Sequence, residues 1–370
     1  SRAAGTVNMT PTDTSEKGLE ILIVDALTGR NAPGGGVAVG LAVGESPDPR
    51  TAYRTGTFIE GDPKDYDRLH VLDTVKLIEF LKVTQPKVVE AFALEVDGPS
   101  REKFLSRVQS QVAEKGIVDV LRKGVKHQSA DVTLFYGTPT PGNLDAAVKH
   151  GQNIFSVRRQ LRYSADELAN ALDLGLFING LPVATFELKN NLTKQTVDDA
   201  VRQYQNDRSP QEALFWKGRC IAHFAVDEHN VKFCTALAGK KSWFLPFDKG
   251  YQQGGGNPPN PNGMQTDYLW NEILQRESLT NIIENYAARI EEKDEKTGKK
   301  RFKQVFPRFH QLEVVRKLLA DVACEGAGKR YLIQHSAGSG KSNSIAWFAH
   351  QLIGVRKDGK DVFDSIIIIT

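Results

Sequence analysis

The chain has 370 residues and a mass of 40.9 kDa, more than one compact core usually accommodates, so two or three domains are expected. Hydrophobic residues make up 40% and charged residues 25%, which excludes disorder, collagen-like repeats and coiled-coil arrays as the main architecture. The formal net charge of +3 is too small to imply a polyanionic partner by itself. No apolar run reaches the roughly 18 residues of a bilayer span and the polar start carries no signal-peptide core, so a soluble, cytoplasmic protein with no membrane partner is expected. Cys220, Cys234 and Cys324 lie far apart without CxxC spacing, which argues against a disulfide framework or zinc site and for buried, reduced thiols.

Residues 1–15 read as a flexible tail. In EKGLEILIVDALTG, the spacing of Leu19, Leu22, Ile23, Ala26 and Leu27 predicts a helix ending near Gly29. A turn-rich NAPGGGVAVG follows, then an amphipathic helix in RLHVLDTVKLIEFLKVTQP closed by Pro86, and two more helices separated by Gly116. From Ala130 the period shortens. ADVTLFYG, NIFSVRRQLRYS, LDLGLFING, PVATFELKN and AHFAVDEHNVKFCTAL read as strands of a mixed or antiparallel sheet, with a covering helix in TVDDAVRQYQNDRSPQEALFW. The fold class is therefore α/β, a sandwich of one sheet and flanking helices spanning 16–253. The glycine- and proline-rich GGGNPPNPNG opens a linker, 254–301, in which DYLWNEILQRESLTNIIENYAARIEE is helical and KDEKTGKK is charged and mobile. A second domain, 302–370, should hold a helix in FHQLEVVRKLLADVAC, a strand in YLIQ, a helix in NSIAWFAHQLIG and a buried strand in SIIIIT that leads into further protein.

Ala337-Gly338-Ser339-Gly340-Lys341-Ser342 lies between that apolar run and a helix, the order a phosphate-binding loop requires. Gly338 and Gly340 allow the backbone to turn its N–H groups, with that of Ser339, toward phosphate, and the following helix adds its positive end. Lys341 would reach the β and γ phosphates of ATP and Ser342 would ligate magnesium. His335 stands where the longer GxxxxGK[ST] pattern has its first glycine. The loop resembles the AxxGxGK[ST] form of superfamily 2 helicases, and Gln311 in FHQ resembles the glutamine with which such motors read adenine. No acidic box follows, so ATP binding is expected of this chain and hydrolysis is not.

Asp173 stands fourteen positions before Glu187, and Lys189 two beyond it, on strands that pair around NGLP. Period-two alternation puts Glu187 and Lys189 on one face, toward which a hairpin can bring Asp173. Two carboxylates so placed suit Mg²⁺, which acidifies water and stabilises phosphoryl oxygens, while Lys189 would position that water or neutralise the transition state. This is the pattern of PD-(D/E)xK nucleases. Glu16 and Glu20 on the first helix are possible additional carboxylates, read more simply as solvated charges.

Taken with RLHVLDTVKLIEFLKVTQP, NIFSVRRQLRYS, NDRSPQEALFW, YLWNEIL, FHQ and AGSGKS in this order, the chain resembles the motor and nuclease subunit of type I restriction enzymes. The resemblance implies a PD-(D/E)xK domain followed by the start of a RecA-like lobe. It implies ATP-driven translocation on double-stranded DNA, cleavage away from the recognition sequence, and methyltransferase and specificity subunits as partners. It also marks Tyr204 as a supporting residue of a Q-x3-Y element, whose glutamine is replaced here by Ala200, with Gln203 one helical step off that face. The alternative is a helicase whose sheet domain is a non-catalytic DNA clamp, against which the intact Asp173, Glu187 and Lys189 argue.

Overall fold

The computed structural model describes residues 16–30, 57–140, 142–166, 170–252, 254–293, 298 and 300–369. The tail, the NAPGGGVAVG loop and most of KDEKTGKK lie outside the described residues. The first helix, Glu16–Thr28, buries Leu19, Ile23, Val24 and Leu27 along one stripe and stops before Gly29, whose positive φ of 73° ends it. Helices Pro99–Lys115 and Ile117–Lys123 are separated by Gly116 at φ 85°. Asp73 caps helix Thr74–Thr84 by accepting from the Lys76 N–H at 3.0 Å, and its other oxygen receives the Arg158 guanidinium in a fully buried ion pair. That pair ties the helix to the sheet, and removing either partner would leave an uncompensated buried charge.

The sheet has seven strands in the spatial order Ile59–Glu60, Phe155–Arg162, Ala171–Ile178, Leu181–Leu188, Ala222–Val226, Val231–Cys234, Leu245–Pro246. It is mixed. The first two strands pair in parallel, as do Leu181–Leu188 and Ala222–Val226, and the rest are antiparallel. Helix Val197–Asn206 forms the crossover between the two central parallel strands, opened by a reciprocal Thr196–Asp199 capping box. The larger core lies among the sheet, the first helix and helices Thr74–Thr84, Pro99–Lys115 and Ile117–Lys123. A smaller one includes Phe177, Tyr204 and Phe215. The α/β sandwich expected from the sequence is therefore present, a large mixed sheet flanked by helices.

The segment expected to be a linker is packed instead. Tyr268, Leu269, Trp270, Ile273, Leu279, Ile282 and Tyr286 belong to the larger core, and Phe306 and Phe309 join Phe224, Phe233 and Phe247 in an aromatic cluster. Ala288–Lys293, expected to continue a helix, is a strand that pairs with Lys300–Val305, and Gln304 donates to the Ile221 carbonyl at 2.7 Å. Further on, helices Phe309–Glu325 and Lys341–Leu352 form as expected, but YLIQ and SIIII do not become strands. A strand needs a neighbour to take its hydrogen bonds, and among the described residues neither run has one; Leu332 and Ile369 are more than nine-tenths exposed. Cys220 and Cys234 are buried thiols, whereas Cys324 is exposed, contrary to expectation, because it falls on the solvent side of its helix.

The central hairpin is the element that positions the candidate site. Its turn is Asn179-Gly180, with φ of 50° and 80°, the left-handed pair that matches strand twist. Asn179 is fully buried and braces the turn, accepting from the Ile154 N–H at 2.6 Å and donating to the Leu134 carbonyl at 2.9 Å. A Cβ on Gly180 would collide with the carbonyl of Asp73, whose own N–H donates to Gly180 at 2.8 Å. Gly180→Ala is accordingly expected to destabilise the fold by about 2–4 kcal/mol, from left-handed strain and overpacking together. Urea unfolding measures this, and a loss below about 1 kcal/mol would contradict the account of the turn.

Candidate active site

Next to the turn, Ile178 pairs with Leu181 and Phe177 with Pro182; the register then slips, and Leu176 pairs with Ala184. Val183 is the extra residue of a bulge. From there Gly175 faces Thr185 and Leu174 faces Phe186, so one step further along the same ladder Asp173 faces Glu187. Directly opposed residues have Cβ atoms roughly 4.5–5.5 Å apart. Consistent with this, an Asp173 oxygen accepts from the Leu188 N–H at 2.6 Å. Lys189 lies just past the strand on the Glu187 side of the alternation, buried, its N–H donating to Val226 at 2.9 Å. The structure thus brings Asp173, Glu187 and Lys189 together.

Glu187 is fully buried, and one oxygen accepts from Arg208 Nε at 2.6 Å while the other, Oε2, has no hydrogen-bond partner among the described residues. Burial first, and the neighbouring Asp173 second, push its carboxyl up to about 8 in spite of Arg208. Arg208 is held in turn by the Ala171 carbonyl at 2.8 Å. It follows Tyr204 by four residues, on the continuation of the face that carries Ala200 and Tyr204. The sequence reading missed it, though that spacing was the available signal.

Glu20 corrects a second expectation. It is buried rather than solvated, because its helix lies against the sheet where Gln160 donates to its Oε2 at 2.7 Å, and burial and Asp173 both raise its pKa. The side chain of Glu16 lies outside the described residues. Beneath Glu187, the hydroxyls of Thr185 and Tyr204 hydrogen-bond at 2.8 Å, and Thr185 bonds His223 Nδ1 at 2.7 Å. Complete burial lowers His223 to about 3, so the ring is neutral there. Ala200 packs with Val197 and Ala225 in a small apolar cluster, so the helix approaches the sheet closely and that position sends no polar group to the carboxylates.

Among the described residues, no group of three or more His, Cys, Asp or Glu is disposed to hold a metal ion. Magnesium, however, is commonly held by one or two carboxylates and keeps several waters. The neighbouring Asp173 and Glu187 carboxylates and the Glu187 Oε2 left without a partner among the described residues fit a cation, while the raised proton affinities of Glu187 and Glu20 come from burial first and from Asp173 in addition.

The residues expected to form a phosphate loop lie between helices Phe309–Glu325 and Lys341–Leu352 and at the start of the second. Gly338 and Gly340 take φ of 73° and 83°, Ser339 is buried, and Ser342 is exposed. Lys341 Nζ donates to the carbonyls of Ser336 at 3.0 Å and His335 at 3.2 Å, folded back across its own loop. Gln311 is buried with both ends of its amide engaged: it accepts from the Arg308 N–H at 2.9 Å and donates to the carbonyls of Gly340 at 2.9 Å and Ser339 at 3.1 Å. In this arrangement it clamps the loop rather than presenting its amide outward.

Residues 84–242 match the family model described as type I restriction enzyme R protein N terminus. The match contains Asp173, Glu187, Lys189, Tyr204 and Arg208 and stops short of the phosphate loop. No curated protein matches the chain.

Glu187 holds its proton more tightly in the fold than in an unfolded chain, so its contribution to stability is present at low pH and lost as pH rises through about 8. The permanently neutral Glu187→Gln should therefore gain on the parent chain from about pH 4.5 to about 8, by at most about 1.4 kcal/mol per pH unit, and keep a constant difference above that. Urea melts of both chains across that range measure it; a difference independent of pH would contradict the environment described.

Proposed function

We propose, from the match of residues 84–242 to the family model described as type I restriction enzyme R protein N terminus, that the sheet domain is the nuclease of such an R subunit, cleaving phosphodiesters of double-stranded DNA with Mg²⁺. The observation that carries the reading is the Asp173 carboxylate accepting from the Leu188 N–H at 2.6 Å, one step past the Leu174–Phe186 pair, which sets it beside the buried Glu187 inside the matched segment. Asp173 and Glu187 would hold the cation, Glu187 through its unpartnered Oε2. When bound, magnesium would supply acidification of a water and charge stabilisation of the phosphoryl oxygens. Lys189 contributes a positive charge toward the phosphate, Arg208 fixes the rotamer of Glu187, and Glu20 adds negative charge beside Asp173. The hydrogen-bonded Thr185, Tyr204 and His223 hold the strand beneath the carboxylates in place.

The same reading assigns residues 302–370 to the opening of a RecA-like motor lobe that binds ATP through Gly338, Ser339, Gly340, Lys341 and Ser342. Gln311 keeps the loop in shape. Occupancy by phosphate would require Lys341 to leave the carbonyls of His335 and Ser336, exchanging neutral acceptors for charged ones. In an assembly with methyltransferase and specificity subunits, the motor would translocate DNA and the sheet domain would cut it.

Two substitutions separate the activities. In the assembled enzyme, Glu187→Ala should abolish DNA cleavage while leaving ATP hydrolysis within about twofold of the parent, because the two sites use different residues. Retained cleavage would sink the nuclease assignment. Lys341→Ala should weaken ATP binding at least tenfold, since the lysine charge serves the β and γ phosphates. Equilibrium titration with a fluorescent ATP analogue checks this, and unchanged affinity would remove the loop from the nucleotide site.

A further inference from the structure

A cleft of about 730 Å³ lies between the 63–69 segment and strand Phe155–Arg162, lined by Lys64, Tyr66, Asp67, Arg68 and Leu69 on one side and by residues 158–162 on the other. Five consecutive residues of a regular strand could not line one surface, because alternate side chains point to opposite faces. Gln160 has a left-handed φ of 47°, and the ladder to Ala171–Ile178 passes from Arg159 to Leu161 without it. The break lies where Gln160 would face Asp173, and the Gln160 side chain reaches Glu20. The cleft and the carboxylate cluster therefore share a wall.

The charges on the lining do not cancel. Arg158 is used by Asp73 and Arg159 pairs with Glu60 at 2.8 Å, while Asp67, hydrogen-bonded to His70 at 2.6 Å, leaves one anion in the lining. Lys64, Arg68 and Arg162 have no ion-pair partner among the described residues, and Lys64 and Arg162 are exposed. Lys64, Arg68 and Arg162, set against the single Asp67 carboxylate, thus leave the lining positive, in a groove whose Gln160 wall donates to the buried Glu20, next to Leu69 and the Tyr66 ring. Neutral or cationic ligands find no reason to sit there, whereas a repeating anion threaded toward a hydrolytic centre does.

We propose that this cleft binds the phosphodiester backbone of one DNA strand next to the scissile phosphate, with Arg68, Arg162 and Lys64 making the phosphate contacts and Gln160 marking the passage to the carboxylates. The proposal rests on the nuclease reading for what lies at the end of the groove, but the groove's affinity is a separate property. Its volume matches a strand's backbone units rather than a whole duplex, so the second strand would lie outside it.

The test measures binding of a short fluorescein-labelled duplex by anisotropy, with Ca²⁺ replacing Mg²⁺, for the parent chain, Arg68→Ala/Arg162→Ala, and Lys123→Ala as a surface-charge control remote from the cleft. The double variant should weaken binding about tenfold or more at low salt and reduce the slope of log K against log salt by about 1.8, while the control leaves the slope unchanged. Thermal melts should match, since the substituted side chains reach solvent. An unchanged slope in the double variant, or an equal loss in the control, overturns the proposal. Cleavage assays keep the two readings apart. Lost cleavage in Glu187→Ala with an unaltered salt slope in the cleft variant rejects only the cleft, and retained cleavage in Glu187→Ala with the predicted slope change rejects only the carboxylate site.

Discussion

The register of one hairpin decides what this molecule can do. With a two-residue Asn179-Gly180 turn and no irregularity, Phe177 opposite Pro182 would have placed Asp173 opposite Phe186, an apolar core residue. The extra residue at Val183 shifts the pairing by one and sets Asp173 against Glu187. The turn itself is anchored from outside the hairpin, by Asn179 on the backbone at Ile154 and Leu134 and by Gly180 against Asp73. Asp73 in turn holds Arg158. The carboxylate pair therefore depends on a chain of buried polar contacts that runs through the helix cap and the neighbouring strand.

Electrostatics around the pair follow from burial. Asp173 acts on both Glu20 and Glu187 where little water can screen them, and Arg159, Arg208 and Lys189 compensate only in part. Such an arrangement is costly in a merely structural role, because an apolar strand pair of the same shape would be at least as stable. The apolar Ala200–Ala225 contact and the neutral Thr185, Tyr204 and His223 network beneath it keep the strand rigid without adding charge. The negative charge stays concentrated around Asp173 and Glu187.

Much of this was legible in the sequence, for identifiable reasons. The helices with strong apolar periodicity, such as Glu16–Thr28, and the strands rich in β-branched and aromatic residues formed where their patterns placed them. Asp173, Glu187 and Lys189 could be grouped because NG marks a hairpin turn and alternation fixes faces, although the bulge at Val183 left no local signal. Glu20 and Arg208 were not readable with the same force, since their role depends on which helix lies over the carboxylates. The 254–301 segment looked like a linker because glycine and proline open it, yet Trp270 and Tyr286 bury themselves in the main core. YLIQ and SIIII read as strands from composition, but a strand is defined by its neighbours, and propensity cannot supply them.

The central claim is that Asp173 and Glu187 share a divalent cation. Crystals of the chain grown or soaked with Mn²⁺, examined for anomalous scattering, test it most directly. The account predicts one strong peak within roughly 2.0–2.6 Å of an oxygen of each carboxylate, on the Oε2 side of Glu187, and its loss in Glu187→Ala. An unoccupied pair at saturating Mn²⁺, with Glu187 still closed on Arg208, would contradict it.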